Sequence, residues 1–239
     1  MGKEDGSATT WVNALKQYCY PVKLSTYEKA ADFPRFFKKI IRGDRQSTIE
    51  FEDYFRAQAP NIIEVWYEVV FWKLFSQKGA RHRTTNRVVD CIQHHHMTAG
   101  KLWEVTRDFI KSSDISNFRK LRSLLGLTYG LAVPLTLVAF ADPKQYPMVD
   151  KKVALWVKKN GEEHSTLRAN KLLDFKSYDT EGATYFRDTD FDAYLKWACW
   201  CREVATVLST TTEVAWRARD VEMAVFTAYD KGLSLSVLP

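Results

Sequence analysis

Residues Leu124 to Trp156 read LLGLTYGLAVPLTLVAFADPKQYPMVDKKVALW, and this segment governs the interpretation of the whole chain. Gly126 and Gly130 bracket a three-residue turn, and glycine allows the backbone to bend sharply or to approach another group closely. The apolar run from Leu131 to Ala141 predicts a helix that is buried on most sides. Pro134 fits the first turn of that helix, where a missing N–H costs little.

A further helix is predicted after a short extended connection. Two X-Pro dipeptides within residues 142–147 disfavour helix, since a residue before proline is pushed toward extended backbone. Asp150 then stands where a helix N-cap belongs, ahead of the run from Lys151 to Trp156. A short turn between two helices also aims the first amides of the second helix outward, where they can bind a nucleic-acid phosphate.

The segment from Leu125 to Val153 resembles the helix-hairpin-helix and catalytic-aspartate region of the HhH-GPD DNA glycosylase superfamily. In that family a hairpin rich in leucine and glycine precedes an apolar helix, a short loop and a Val-Asp pair that opens the next helix, as Val149-Asp150 does here. Bifunctional members carry a lysine two residues after the last hairpin glycine and the aspartate eighteen residues further on. Counted from Gly130, these positions are Ala132 and Asp150, so the spacing matches.

Two positions depart from the family pattern. Thr128 stands where the family's hairpin usually has its first glycine, and Ala132 has no amine for Schiff-base chemistry. The resemblance therefore implies a monofunctional DNA glycosylase, which flips a damaged or modified base and hydrolyses its glycosidic bond to leave an abasic site. It implies Asp150 as the catalytic residue, double-stranded DNA as the partner, and neither cofactor nor metal. A purely structural N-cap is the alternative role for Asp150.

Helical periodicity dominates the rest of the chain, and strand patterns are almost absent, so the sequence predicts an all-α protein. The resemblance implies a two-lobed helical bundle that contains the helix-hairpin-helix motif. Residues 1–10 are expected to form a flexible tail and residues 11–239 a helical glycosylase domain. Within that domain, residues 121–156 hold the hairpin and the aspartate, and residues from about 158 to 190 form an irregular polar insertion.

The most aromatic predicted helix runs from Asn61 to Gln77. A central core position is the simplest interpretation of its aromatic side chains, and a base-binding pocket is the alternative. The pocket candidates, one of them from a later helix, are Trp66, Tyr67, Trp72 and Trp216. In glycosylase relatives a glutamine in the loop after such a helix often fills the gap left by an extruded base. Gln77 occupies a comparable position, although an ordinary helix end before Gly79 is the alternative.

A basic strip follows directly, with five basic side chains and no acidic one between Lys78 and Arg87. It is interpreted either as a solvated loop and helix start or as a surface that contacts phosphates. The predicted DNA-binding residues of hairpin and strip together are Gly126, Thr128, Gly130, Ala132, Gln77, Lys78, Arg81 and Arg83. The three histidines at 94–96 point in different directions on a helix, which favours a solvent-facing run over a metal site.

The sequence also predicts the bounds of two further helices and the pairing of two acidic side chains. Residues 47–50 have the pattern of a capping box before a helix that ends near Gln58. The last helix is predicted from Thr212 to Tyr229. It contains Asp220 and Glu222 near a tryptophan, and salt bridges with Arg217 or Arg219 are favoured over a second catalytic acid.

Composition supports a folded protein with an anionic partner. The chain has 239 residues, a hydrophobic content of 46% and a net charge of +6, which suits a nucleic acid without proving one. Its four cysteines lack iron–sulfur spacing, and no signal peptide or membrane-length apolar run is visible. We therefore expect a cytoplasmic monomer without membrane association.

Other functions stay open beside the glycosylase. The hairpin alone is compatible with a non-catalytic helix-hairpin-helix DNA-binding module, and the helices alone with a scaffold that has neither activity. For a glycosylase, both base excision in DNA repair and antiviral defence against a hypermodified phage base are open settings.

Overall fold

The computed structural model describes residues 6–20, 43–77, 80–160 and 187–238. These residues form helices and no strand, which confirms the all-α prediction. A short 3-10 helix at Asp188–Asp190 precedes the ninth α-helix. The ten α-helices of the described residues are α1 (Gly6–Lys16), α2 (Arg45–Gln58), α3 (Glu64–Leu74), α4 (Ala80–His94), α5 (Ala99–Ser112), α6 (Ile115–Leu124), α7 (Ala132–Ala141), α8 (Lys151–Asn160), α9 (Phe191–Thr211) and α10 (Ala218–Lys231).

Several predicted helix boundaries differ from the structure; the helix predicted from Asn61 to Gln77, for example, is observed from Glu64 to Leu74. Residues 6–10, assigned to the tail, belong to α1, because Ala8 is buried and ties this turn to the core. The N-cap of α2 is Asp44, which accepts a hydrogen bond from Ser47 N at 2.8 Å, so the helix begins a turn before the predicted capping box. The predicted end at Gln58 is confirmed.

The helix α10 begins six residues after the predicted start at Thr212. The backbone of Trp216 is held outside the helix, since its N–H donates to Ser209 Oγ at 2.9 Å. Of the predicted polar insertion, residues 161–186 lie outside the described residues.

The chain divides into two compact units. The first unit comprises residues 1–18, 129–135 and 142–239, and the second comprises residues 19–128 and 136–141. Each unit has its own aromatic core.

In the first unit, α1, α8 and α9 pack against α10. The ring of Trp200 stacks on Trp197 at a centroid distance of 5.1 Å and contacts both Trp11 and Trp156 at 6.1 Å. Burial of four indoles makes this cluster a large contributor to the stability of the first unit, because each such ring removes 150 Å² or more of apolar surface from water, by rough estimate.

In the second unit, Phe140 lies at the centre of the core. Its ring contacts Phe51 at 5.0 Å, Trp72 at 5.2 Å and Phe55 at 5.8 Å between centroids. The helix α3 is buried along nearly its whole length, as its lack of a polar face predicts.

Candidate functional site

The predicted turn begins where α6 ends. Leu127 N donates to Arg122 O at 3.1 Å and Gly126 N donates to Ser123 O at 2.9 Å, the bonding pattern of a Schellman motif. Gly126 has φ +65° and Gly130 has φ +87°, so both glycines adopt backbone that other residues rarely accept. Between them Thr128 is exposed.

The turn lies directly against α4. A Cβ on Gly126 would fall 2.6 Å from Cys91 Cβ and 2.8 Å from Cys91 Sγ, distances that van der Waals contact does not allow. Cys91 Sγ also approaches Leu124 O at 3.8 Å. Glycine is therefore required at position 126 for two reasons: the positive φ disfavours other residues, and a Cβ would overlap with α4.

An open groove of about 680 Å³ follows this contact along α4. The lining side chains are mostly polar and recur on one face of the helix: Arg83, Asn86, Arg87, Asp90, Cys91, His94 and His95, with Gly126 beside them. Both arginines are exposed. Among the described residues, neither of their guanidinium groups has a hydrogen-bond or ion-pair partner.

Arg81, only two residues before Arg83, has a different environment. Its Nη1 donates to Phe75 O at 3.2 Å, and its guanidinium lies 4.7 Å from the centroid of the Phe75 ring. The structure thus engages Arg81 within the protein at the junction of α3 and α4. The predicted DNA contact by Arg81 would have to break these interactions.

The other predicted DNA-binding residues near the strip also differ in their positions relative to the groove. Gln77 is exposed, and its carbonyl accepts a hydrogen bond from Arg81 N at 2.9 Å, which places it at the start of α4. Lys78 lies outside the described residues. Of Gln77, Arg81 and Arg83, the described residues near the strip that are predicted to bind DNA, only Arg83 lines the groove, together with Arg87 from the same strip.

The sequence placed Asn86 and Arg87 in the basic strip but did not name them among the DNA-binding residues, and it did not name His94 or His95 either. A usable signal was present, because positions 83, 87 and 94 are four and seven residues apart and so share one helix face. All three histidines of the run 94–96 are exposed, as expected. Among the described residues no three His, Cys, Asp or Glu side chains converge in a manner that could hold a metal ion.

Asp150 belongs to the first unit and is half-buried. Its Oδ1 accepts a hydrogen bond from Val153 N at 3.0 Å, so it caps α8 as predicted. Ala132, the position of the family's lysine, also belongs to the first unit and begins α7.

The connection just before Asp150 is held by side chains of α9. Tyr194 Oη donates to Pro147 O at 3.0 Å and Trp197 Nε1 donates to Met148 O at 3.1 Å. Burial, and then Tyr146, raises the pKa of the Tyr194 phenol well above its usual value, so the group stays a proton donor. Both bonds are buried and fix the backbone within three residues of Asp150.

The start of the same connection is held by backbone groups of α10. Arg219 N donates to Pro143 O at 3.1 Å and Ala218 N donates to Lys144 O at 3.3 Å. These amides come from the first turn of α10, where no partner exists within the helix. The connection therefore has fixed geometry from residue 143 to residue 150.

The four predicted pocket aromatics do not share one environment. Trp66 is fully buried and donates from Nε1 to Ala59 O at 3.0 Å, and Trp72 packs in the core of the second unit. Tyr67 is half-buried, and burial together with Glu64 raises its pKa. Trp216 belongs to the first unit, where its Nε1 donates to Thr212 Oγ1 at 3.0 Å. Trp66 and Trp72 thus occupy core positions, the simpler of the two interpretations.

The acids of α10 form the salt bridges that the sequence favoured. Arg217 contacts Asp220 through two bonds, with Nε–Oδ2 at 3.0 Å and Nη2–Oδ1 at 2.9 Å. Arg219 pairs with Glu222 and donates to Tyr18 Oη at 3.1 Å, all fully buried. These four charged side chains thus form ion pairs with one another within the first unit.

One acid of the second unit has an unusual environment that sequence reasoning missed. Glu68 is 2% exposed, and its Oε2 has no hydrogen-bond partner among the described residues. Burial, and then Glu64, raises the pKa of its carboxyl from 4.5 to about 7. The available signal was a glutamate in the middle of a helix that is mostly apolar and aromatic.

No helix among the described residues has the length and apolar character needed to cross a bilayer. Function must be argued from sites, since one fold hosts many activities. Comparison of the chain with protein-family models, with curated proteins and with solved structures gives no match.

Proposed function

We propose that the chain is a monofunctional DNA glycosylase that removes a damaged or modified base and leaves an abasic site. The proposal rests on the resemblance of residues 125–153 to the HhH-GPD superfamily. The observation that supports it best is the placement of Asp150, a half-buried carboxylate on a connection that α9 and α10 hold in fixed geometry. Catalytic groups need such support, because small displacements of the reacting atoms cost large factors in rate.

The chemistry assigned to Asp150 is that of a carboxylate beside a developing cation. When the bond between C1′ and the base nitrogen breaks, its electron pair leaves with the base and positive charge develops on the sugar. The negative carboxylate stabilises this charge. Water then adds its oxygen to C1′, and the carboxylate accepts the proton that the water loses.

The absence of a lysine decides between the two reaction classes of the family. Ala132 cannot form a Schiff base with C1′, so the sugar-phosphate backbone stays uncut after base release. The expected product is an abasic site that breaks only on treatment with alkali.

The test is Asp150→Asn, because asparagine retains a side-chain oxygen for the N-cap while the charge is lost. DNAs with different base modifications are incubated with the protein, abasic sites are revealed with alkali, and the released base is identified by mass spectrometry. Base release should fall by roughly 10²- to 10⁴-fold in Asp150→Asn, with DNA binding retained. Asp44→Asn, at the N-cap of α2, is the matched control and should leave release unchanged.

Four results would contradict all or part of the proposal. Base release by Asp150→Asn at the wild-type rate would show that the aspartate only caps α8. DNA binding without base release from any substrate, unaffected by Asp150→Asn, would favour the non-catalytic helix-hairpin-helix module. Strand cleavage without alkali would refute the monofunctional assignment, and absence of salt-sensitive DNA binding would favour the scaffold.

A further inference from the structure

We propose that the groove along α4 binds the phosphodiester backbone of one DNA strand, with Arg83 and Arg87 each contacting a phosphate. The inference rests on the proposed function only in taking DNA as the partner. It assigns the contact surface to a helix face outside the segment that resembles the glycosylases.

The first argument is that the guanidinium groups of the two arginines have no hydrogen bond or ion pair with any residue that the structure describes. Arg81 is engaged with Phe75, and Arg217 and Arg219 are engaged with carboxylates. Arg83 and Arg87 have no such partner among the described residues, yet both line the same groove. A guanidinium carries five donors in a planar fork, which fits the oxygens of a phosphate.

The second argument is the shape and length of the site. The face from Arg83 to His94 extends over roughly 16 Å, given a rise of 1.5 Å per residue. A free phosphate would use one end of such a stripe, whereas a strand of DNA presents charges along all of it. Asn86 and His95 add further hydrogen-bonding groups along the groove.

The third argument is that the helix is positioned rigidly against the turn. Gly126 lies against Cys91 in the last turn of α4, so the groove includes the turn after α6 as well as the basic face. Among the described residues that line the groove, Asp90 is the one acid, and its carboxylate repels a bound anion. Removing the charge of Asp90 should therefore strengthen DNA binding, whereas removing the arginines should weaken it.

The experiment is a salt titration of binding to an unmodified DNA duplex. Each phosphate contact contributes about −0.9 to the slope of log K against log salt, so Arg83→Gln/Arg87→Gln should make the slope less steep by about 1.8. Affinity at ~0.1 M salt should fall by one to two orders of magnitude. The matched control is Arg107→Gln/Lys111→Gln on α5, which removes two exposed cations at the same spacing and in the same unit.

The second measurement is the DNA affinity of Asp90→Asn, for which the expected change is a gain and not a loss of binding. Removing this carboxylate should tighten DNA binding several-fold, while Asp108→Asn on α5 should not. Equal slopes for the two double variants would overturn the proposal, because the effect would then follow net charge alone. An unchanged slope in Arg83→Gln/Arg87→Gln, unchanged or weaker binding by Asp90→Asn, or equally effective displacement of DNA by polyglutamate would also overturn it.

Base release measured on the same wild-type protein separates the two proposals. If the slope changes as expected and no base is released, the groove stands and the glycosylase assignment falls. If base is released and the slope does not change, the glycosylase stands and the groove falls.

Discussion

The start of α10 and the outer face of α4 each carry two arginines close together, and the structure gives them opposite surroundings. Arg217 and Arg219 contact Asp220 and Glu222, and the second of these pairs is completely buried. Arg83 and Arg87 are exposed and have no partner among the described residues. The same side chain thus serves the fold in the first unit and is available to a ligand in the second.

Desolvation explains why these roles differ. A buried ion is tolerated only when it is paired and hydrogen-bonded, so its removal leaves an uncompensated charge. An exposed ion remains hydrated and contributes little to stability. Stability and binding measurements on matched substitutions should therefore separate the two regions.

The largest expected effect is from Arg219→Ala. This change leaves the Glu222 carboxylate and the Tyr18 hydroxyl buried without the guanidinium, which should lower the free energy of unfolding by about 3–5 kcal/mol. Arg83→Ala should change it by less than about 0.5 kcal/mol. Urea unfolding of both variants measures the difference. Similar losses of unfolding free energy in the two variants would show that the buried arginine contributes no more to stability than the exposed one.

Glu68→Gln tests a buried acid whose Oε2 has no hydrogen-bond partner among the described residues. Because the folded-state pKa is raised from 4.5 to about 7, the folded protein binds the proton more tightly than the unfolded chain. The resulting stability is fully present below pH 4.5 and is lost as the pH rises through 7. Glutamine mimics the neutral acid, so Glu68→Gln should be more stable than the wild type by about 2–3 kcal/mol at pH 8 and equal to it at low pH.

Unfolding at a series of pH values from about 4 to 8 measures this effect. Glu50→Gln, an exposed glutamate on α2, is the control and should follow the wild-type profile. A Glu68→Gln profile parallel to that of the wild type would show that folding does not change the pKa of this carboxyl.

The smallest expected effect is the difference in stability between alanine substitutions at two glycines that have the same φ. Gly126 and Gly232 both have φ +65° at a helix end, but a Cβ on Gly232 meets nothing within 4 Å. Gly232→Ala should therefore cost only the left-handed strain, about 1 kcal/mol. Gly126→Ala adds overlap with Cys91, so it should cost about 1–2 kcal/mol more.

Thermal unfolding compares the two variants, and salt titration of DNA binding by Gly126→Ala shows whether the groove depends on this contact. Equal destabilisation by the two substitutions would mean that α4 moves away from the turn without cost.

The sequence alone determined the parts of the structure that depend on neighbours along the chain. Helical periodicity placed α7 at nearly its observed bounds, and Asp150 caps α8 as its position before an apolar run predicts. The glycines of the turn have a positive φ, which residues with a side chain rarely adopt. These features arise from hydrogen bonds and steric limits that span only a few residues.

Only the tertiary structure decided which polar groups are buried, paired or open. Arg81 and Arg83 are two residues apart in one basic strip, and the ring of Phe75 engages the first while the groove exposes the second. The connection before Asp150 is fixed by Tyr194 and Trp197, more than forty residues later in the chain. Desolvation and long-range hydrogen bonds depend on which elements pack together, and a local pattern carries no record of that packing.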